Sequence, residues 1–390
     1  MQFRHLPILA LASLVSTQDS GNDTQSLNAT VAGNDQLSNL TTFLSQYPAL
    51  LSALSQARDI TILAPSNDAF TVFADTDAGR TISNSSDLLS ALLQYHVLNG
   101  TYQASQVTNQ SAFIHTLLTN ETYTNVTDGQ VVEAVQVGND TVFYSGLLQN
   151  STVTTADQNF TGGTIHIIDR VLTLPPSVLE AALALNLTSL YGAVNLTDSV
   201  EAASTRNITV FAPNNEAFNS IGSALANLSS DDLQSILEYH IVENVYYSAD
   251  LANGTTLQTE DDDRDLTITT NENGTVFVNA AEVVVPNILI ANGVLHIIDN
   301  VLNPSNTAAP STSATAGAPG FTGSPASEQP FTSGQPTPTT QVNPTSEGAG
   351  PAQSTAAGSE SSGLAAPRCT GGVEYAALVG AGAAAMVWGL

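Results

Sequence analysis

Adjacent tyrosine and histidine residues occur twice in the chain, and they are the side chains whose types and spacing first suggest chemistry. Tyr95-His96 lies in LLQYHV, and Tyr239-His240 lies in the matching segment ILEYHI. Each pair could contact a binding partner, or it could be buried, with its polar atoms hydrogen-bonded to each other or to the backbone. We favour the buried interpretation. His166 and His296 lie in alternating apolar runs and are predicted to be core histidines as well.

Metal-binding and catalytic patterns are sparse. There is no His-x-x-x-His pair, and the one cysteine, Cys369, cannot form a cysteine-rich metal site or an internal disulfide. The acidic run EDDDRD at residues 260–265 could bind a hard cation such as Ca²⁺, but it lacks the spacing of a calcium loop, which favours a solvated turn. We therefore expect no cofactor, no metal and no catalytic residue.

Enzymatic alternatives are only partly excluded by the sequence. It contains no Gly-x-Ser-x-Gly elbow, phosphate loop or dinucleotide fingerprint. A pair of carboxylates for glycoside hydrolysis stays open, because acidic residues are plentiful and their separation in space is not visible.

The charge balance is strongly acidic. Thirty-five Asp and Glu residues face seven basic residues, all of them Arg, for a net charge of −28 over 390 residues. Such a chain should repel nucleic acid and anionic membrane surfaces, so we expect no nucleic-acid partner. A simpler interpretation is that the charge serves only solubility.

The N-terminus has the pattern of a secretory signal peptide. A basic flank precedes the apolar run from Pro7 to Val15, and small and polar residues follow. We predict a signal peptide over residues 1–19, cleaved between Ser16 and Ser20.

The C-terminus has the pattern of a glycolipid (GPI) anchor signal. Residues 375–390 are apolar and uncharged, but sixteen residues are short for a membrane span, which needs about 20. We predict a signal tail over residues 367–390 and attachment at one of three small residues, Ser361, Ser362 or Gly363. A weak transmembrane helix is the alternative.

Asn-x-Ser/Thr sequons are dense before residue 300 and absent after it, which indicates a secreted ectodomain that carries many N-glycans. Asn207 is excluded from the predicted glycosylation sites, because it directly precedes a predicted buried strand. The remaining candidates are Asn22, Asn28, Asn39, Asn84, Asn99, Asn109, Asn120, Asn125, Asn139, Asn150, Asn159, Asn186, Asn195, Asn227, Asn253 and Asn273.

Composition changes after residue 302. Residues 303–366 are rich in Pro, Ser, Thr, Ala and Gly and lose hydrophobic periodicity. Such a stretch buries too little apolar surface to offset its ordering entropy, so a disordered, O-glycosylated stalk is predicted.

Three blocks upstream of this stretch occur twice and in the same order. TILAPSNDAF at residues 61–70 returns as TVFAPNNEAF at 209–218, the Tyr-His blocks follow, and GTIHIIDRVL at 163–172 returns as GVLHIIDNVL at 293–302. The copies differ mainly by extra residues between the second and third blocks of copy one, which is how surface loops behave.

The blocks predict specific elements. The first block of each copy reads as a buried strand, then a helix that carries Phe70 or Phe218. The third block reads as another core strand. Helices are predicted over Leu88–Tyr95 and Leu233–Tyr239 and, upstream, over Leu40–Ala57 and Val178–Val194. This mixture without regular βα alternation indicates an α+β class.

Together the three blocks resemble the fasciclin domain family, over residues 35–174 for the first copy and 176–302 for the second. The resemblance implies two tandem α+β domains, each a wedge-shaped β-sandwich with packed helices. It also implies a non-enzymatic glycoprotein, often glycolipid-anchored, that acts in cell adhesion or in organising the matrix or cell wall.

The resemblance also implies adhesive contacts, either at the Tyr-His pairs or at an acidic motif before the last block. In the second copy that motif is approximated by Pro286, Asn287, Ile288 and Leu289, with Asn in place of Asp. The first copy offers Gln149–Val153 there, without Pro or Asp.

The expected partners are other copies of the chain, surface proteins or wall polysaccharides, and the membrane through the anchor. We expect the outer face of the plasma membrane or the cell wall, with the vacuole as the alternative. A binding module for a wall polysaccharide or an apolar ligand is the second functional hypothesis, and a wall-acting hydrolase is the third.

Overall fold

The computed structural model of the chain describes residues 25–197, 199–261, 264–310 and 316–336. The first domain contains these elements in order: α1 (Leu27–Ala32), α2 (Ser38–Gln46), α3 (Pro48–Gln56), β1 (Ile60–Pro65), α4 (Asn67–Ala74), α5 (Asp77–Ser83), α6 (Ser86–Tyr95), β2 (Val97–Asn99), β3 (Ala112–His115), β4 (Val131–Val137), β5 (Asp140–Tyr144), β6 (Asn150–Phe160) and β7 (Gly163–Ile168).

The second domain repeats this order with one helix fewer before its first strand. Its elements are α7 (Val178–Ala184), α8 (Thr188–Leu196), β8 (Ile208–Pro213), α9 (Asn215–Ser220), α10 (Gly222–Leu225), α11 (Ser230–Tyr239), β9 (Ile241–Glu243), β10 (Thr256–Gln258), β11 (Asp265–Thr270), β12 (Val276–Val278), β13 (Ala281–Ile290) and β14 (Gly293–Ile298).

Each domain contains a seven-stranded mixed sheet, and the two sheets have equivalent strand orders. The orders are β2-β1-β7-β6-β5-β4-β3 and, read from the same end, β9-β8-β14-β13-β12-β11-β10. One pair in each is parallel, β1 with β7 and β8 with β14. Single bridges from Leu98 to Thr116 and from Val242 to Thr259 join the two ends of each sheet, which folds it into a wedge. The predicted α+β class and tandem arrangement are confirmed.

The first and third sequence blocks form the parallel pair at the centre of each sheet. Every residue of β1 and β8 is buried, as predicted, and the helices that follow are capped by Ser66 and Asn214. Each third block begins with a glycine because the strands approach closely. A Cβ at Gly163 or Gly293 would lie 1.8 Å from the carbonyl oxygen of the neighbouring strand.

Two predicted helices are each split in the structure. The segment 40–57 forms α2 and α3, because Pro48 begins a new helix at a position where its missing N–H costs nothing. The segment 178–194 forms α7 and α8, and Asn186 between them adopts φ 59°, which a continuing helix does not allow. The prediction of continuous helices was wrong at both places.

A further helix lies upstream of the predicted first domain and packs against it. Helix α1 precedes residue 35, and Leu27 and Val31 are 2% and 3% exposed within the core beneath β1 and β7. Ser26 caps this helix through its side chain.

The extra length of the first copy lies mainly between β3 and β4. Residues 116–130 make this connection, whereas residues 259–264 make it in the second copy. The longer connection does not lie free on the surface, as variable loops usually do, but contacts the second domain.

The expected disordered stalk does not begin at residue 303. Residues 316–336 lie against the second domain, where Ala318 N donates to Ala280 O at 2.7 Å and Phe331 packs beside Phe218. The prediction of disorder is wrong for this segment, because Phe321 and Phe331 give it apolar side chains that pack on the core. Residues 337–366, the signal peptide and the predicted anchor tail lie outside the described residues.

Candidate functional site

The two tyrosines of the Tyr-His pairs are structural residues. Tyr95 and Tyr239 end equivalent helices, α6 and α11, and both are 0% exposed. The Tyr95 hydroxyl donates to Val131 O at 2.9 Å, and the Tyr239 hydroxyl donates to Asp265 O at 3.1 Å. Each tyrosine therefore links its helix to the sheet and is not available to a binding partner.

The two histidines of these pairs have the same role in both domains. Nδ1 of His96 lies 2.7 Å from Leu92 O, and its Nε2 accepts from Leu172 N at 2.9 Å. His240 repeats this with Ile236 O and Leu302 N at the same distances. Because Nε2 accepts, the proton lies on Nδ1 and the ring is neutral. Each imidazole thus joins a helix end to the residues after the last core strand.

Burial keeps these rings neutral. Desolvation lowers the pKa of His96, His240 and His296 to about 4, and it also lowers the pKa of His166. His166 and His296 lie in the central strands, as predicted, and the Nε2 atom of each lies 2.9 Å from a backbone carbonyl. All four histidines are core residues.

The Pro286–Leu289 segment forms a β-bulge, and most of it is buried. Pro286 is half-buried, while Asn287, Ile288 and Leu289 are at most 1% exposed. Asn287 adopts φ 64°, and its backbone N–H donates to His296 Nδ1. Its Oδ1 accepts from Ser248 N at 2.8 Å. The segment is therefore not an exposed contact surface.

The equivalent of Asn287 in the first copy is Asp157. Asp157 also lies in a bulge, has φ 57°, and donates its backbone N–H to His166 Nδ1. Its Oδ1 accepts from Ala104 N at 3.0 Å. The alignment with Gln149–Val153 was wrong, because Asp157 lies six residues before Gly163 just as Asn287 lies six residues before Gly293, so distance from the third block gives the correct register. The first copy does have an aspartate at this position.

Asn287 also reaches the first domain. Its Nδ2 lies 3.5 Å from Oε1 of Glu133, which is 0% exposed in β4 and accepts a second hydrogen bond from Ser111 Oγ. Oε2 of Glu133 is buried and has no hydrogen-bond partner. Desolvation raises the pKa of Glu133 to about 7, although its hydrogen bonds with Ser111 and Asn287 act in the opposite direction.

The contact between the two domains, here called the domain joint, is formed by β3, residues 116–130 and Glu133 on one side and by residues 206–207, 247–248 and 287–291 on the other. Thr127 N donates to Asn207 Oδ1 at 2.7 Å, and Asn207 Nδ2 donates to Thr127 Oγ1 at 2.8 Å. Asn125 N donates to Ala291 O at 2.8 Å. The extra residues of the first copy therefore build much of the joint.

Two further contacts belong to the domain joint. The side chain of Gln130 is fully buried, and its Nε2 donates to Ile290 O at 3.0 Å. The rings of Phe113 and Tyr247 stack with centroids 3.8 Å apart. The Arg206–Glu121 ion pair is exposed and adds little stability. The joint therefore contains buried amide and carboxylate groups and a stack of two half-buried aromatic rings.

The profile of the Fasciclin domain family matches residues 35–175 and 185–304. The chain belongs to this family. A fasciclin-like arabinogalactan protein of Arthroderma benhamiae is 36% identical over 289 residues, covering 73% of this chain and 68% of that protein. A second protein of this description, from Cercospora beticola, is 30% identical over 314 residues, covering 78% and 82%.

Among solved structures, the chain is similar to a FAS1 domain pair from the insect cell adhesion molecule fasciclin I. The likeness covers 70% of this chain and 99% of that one, with 22% identity and a TM-score of 0.34.

The surface of the fasciclin domain pair suits N-glycosylation at most of the predicted sequons. Of the fifteen described candidates, fourteen asparagines are exposed, and only Asn125, in the domain joint, is half-buried. Both polar atoms of the Asn207 side chain form hydrogen bonds across the joint, which supports its exclusion from the predicted glycosylation sites. Asn22 lies outside the described residues.

Within the described residues there is no group of three or more His, Cys, Asp or Glu that could hold a metal. Asp262 and Asp263 of the acidic run lie outside them, and Asp261 pairs with Arg264 at 3.0 Å. Two cavities of about 20 and 10 Å³ are far below the size of a ligand pocket. No helix in the described ranges is long and apolar enough to span a membrane.

Sequence reasoning did not identify the domain joint. Glu133 lies in the run VVEAV, where a single carboxylate among buried apolar residues was the available signal. The aromatic residues Phe321 and Phe331 in an otherwise aromatic-free stretch were the signal for the packed C-terminal segment.

Proposed function

We propose that this protein is a non-enzymatic cell-surface glycoprotein that mediates cell adhesion or organises the cell wall or extracellular matrix. Its tandem fasciclin domains are the adhesive part, and a C-terminal GPI anchor holds them at the outer face of the plasma membrane or in the wall. The observation that carries the proposal is the pair of fasciclin domains with exposed sequons on both, in a chain similar to fungal fasciclin-like arabinogalactan proteins.

The geometry favours the pair as the working unit. Glu133 and Gln130 are fully buried at the domain joint, so separation would expose polar groups that now bond across it. Two adhesive domains that act together gain effective concentration, and an anchored array of such pairs gains more. Weak individual contacts are then sufficient.

The test couples the glycosylated secreted chain, residues 20–362, to beads. We expect the beads to aggregate, or to bind purified wall polysaccharide or surface proteins. Aggregation without polysaccharide indicates homotypic adhesion, and binding to polysaccharide without aggregation indicates a wall-binding module. Beads that do neither, or a pair that hydrolyses wall glycans, would contradict the proposal.

The anchor is tested separately on cells. Release of the protein by a phosphatidylinositol-specific phospholipase is expected, and replacing Ser361, Ser362 and Gly363 together by bulky residues should prevent anchoring. Retention in the membrane after phospholipase treatment would favour the transmembrane alternative.

A further inference from the structure

Residues 316–336, here called the C-terminal strap, are hydrogen-bonded to the second domain at several positions between residues 317 and 330. Near the start, Gly317 N donates to Asp299 Oδ2 at 3.1 Å, and in the middle Ala326 N donates to Asn219 O at 2.9 Å. Near the end, Pro330 O accepts from Ser189 Oγ at 2.8 Å, and Gln329 Nε2 donates to Asn215 O at 2.7 Å. The strap therefore crosses helices α8 and α9.

Phe331 is the apolar anchor of the strap. Its ring meets Phe218 edge-on, with centroids 6.0 Å apart, and Phe218 is 0% exposed. Phe331 adopts φ 60°, a conformation unfavourable for a residue with a Cβ, which persists only where surrounding contacts hold it.

The first domain shows what Phe331 replaces. Asn67 Oδ1 accepts from Asn39 N at 2.9 Å, and Asn215 Oδ1 accepts from Ser189 N at 3.1 Å, so Asn39 is equivalent to Ser189. Four residues further along each helix, Phe43 is therefore equivalent to Ala193. The Phe43 ring lies 6.4 Å from Phe70, the equivalent of Phe218.

The second domain thus lacks an aromatic residue that the first domain supplies from its own helix. Ala193 is too small to fill the position that the Phe43 ring occupies in the first domain. Gly192 lets the strap backbone approach, since a Cβ there would lie 1.8 Å from Phe331 O. In the first domain Phe70 stays partly exposed, whereas Phe218, which contacts the strap through Phe331, is 0% exposed.

We propose that the groove formed by Gly192, Ala193 and Phe218 is a binding site for a peptide anchored by an aromatic residue, and that the strap is its ligand, bound in cis. The described part of the strap consequently continues past the end of the sheet to lie beside α8 and α9. This inference does not depend on the proposed adhesive function.

The test uses the secreted chain, residues 20–362, with a protease recognition sequence in place of residues 311–315. After cleavage, the C-terminal fragment should remain bound to the domain pair during size-exclusion chromatography at micromolar concentration. In the Phe331→Ala variant we expect at least tenfold weaker retention, while the exposed control Ser333→Ala should behave like the original chain. Release of the original fragment, or equal retention in all three proteins, would overturn the proposal.

A second variant fills the groove with an aromatic side chain from α8. Ala193→Phe restores the aromatic residue of the first copy, so the cleaved fragment should be released although the domains stay folded by circular dichroism. Combining it with Phe331→Ala should recover part of the melting temperature lost in Phe331→Ala alone. Unchanged retention in a folded Ala193→Phe protein would contradict the groove assignment, and if this variant does not fold, the Phe331→Ala comparison decides.

The uncleaved chain distinguishes cis from trans binding. A monomer at all concentrations is expected. A concentration-dependent dimer that is lost in Phe331→Ala would show that the strap of one copy occupies the groove of another, and it would overturn binding in cis.

Discussion

Replacing Glu133 by Gln tests whether the domain joint holds a carboxyl group that resists ionisation. Glu133 is 0% exposed, one of its carboxylate oxygens has no partner, and its pKa is raised from 4.5 to about 7 by burial. Glutamine keeps the shape of the protonated acid but cannot ionise. The variant therefore removes the proton linkage and leaves the packing of the joint in place.

The size of the effect follows from the two pKa values. A folded pKa of about 7 against 4.5 in the unfolded chain corresponds to roughly 3 kcal/mol. Because the folded state binds the proton more tightly, this contribution is lost as the pH rises from 4.5 through 7 and stays lost above it. Between pH 5 and pH 8 the Gln variant should gain about 2–3 kcal/mol of stability relative to the original protein, because part of the linkage is already lost at pH 5. An unpaired amide N–H in the variant can lower its stability by roughly 1–3 kcal/mol at every pH, which leaves this trend unchanged.

The assay is urea denaturation of residues 20–362 at pH 5, 6, 7 and 8 for the original chain and the variant. The buried histidines contribute equally to both proteins, so they cancel in the difference. Glu272→Gln, at an exposed glutamate, is the matched control and should show no such trend. A difference between Glu133→Gln and the original chain that is constant with pH would refute the reasoning.

Three further predictions concern the core and the glycans. His96, His240 and His296, with a pKa of about 4, bind protons more weakly in the folded state, so unfolding should take up protons between pH 6.5 and 4 and stability should fall as the pH drops through that range. Calorimetry in buffers of different ionisation enthalpy measures this proton uptake. Tyr239→Phe should destabilise the protein by about 1–3 kcal/mol and more than Tyr95→Phe, since the Tyr239 hydroxyl also accepts from Asn279 Nδ2 at 2.9 Å, while neither change should reduce bead adhesion of the folded protein. Asn207 should carry no glycan in site-specific mass spectrometry of the secreted protein, because its side-chain amide is bonded across the domain joint. A glycan at Asn207 would show that this bond is absent in the secreted protein.

The sequence predicted the features that local pattern controls. The buried strands of the first and third blocks and the helices ending in Tyr95 and Tyr239 follow from apolar spacing. The internal repeat extended each assignment to the second copy.

What the sequence could not supply depends on contacts between distant segments. Glu133 and Asn287 are 154 positions apart, and neither has a local pattern that indicates the other. The register of Asp157, in contrast, was available from the sequence, because Asp157 lies six residues before Gly163 just as Asn287 lies six residues before Gly293. Composition predicted disorder for the strap, because averages over a window dilute its two aromatic residues, Phe321 and Phe331, which pack on the core.

The two copies diverge where each contacts something outside its own domain. The first copy lengthens the β3–β4 connection to residues 116–130 and uses it to bind the second domain. The second copy replaces the aromatic residue of α2 by Ala193 in α8 and takes its aromatic residue from the strap. In both cases one copy of the repeat depends for its packing on a specific segment outside its own domain. An excised second domain that ends at residue 302 should therefore expose Phe218 and associate or unfold more readily than one that ends at residue 336. Equal melting temperatures and equal solubility of the two fragments would show that the strap adds nothing to that domain.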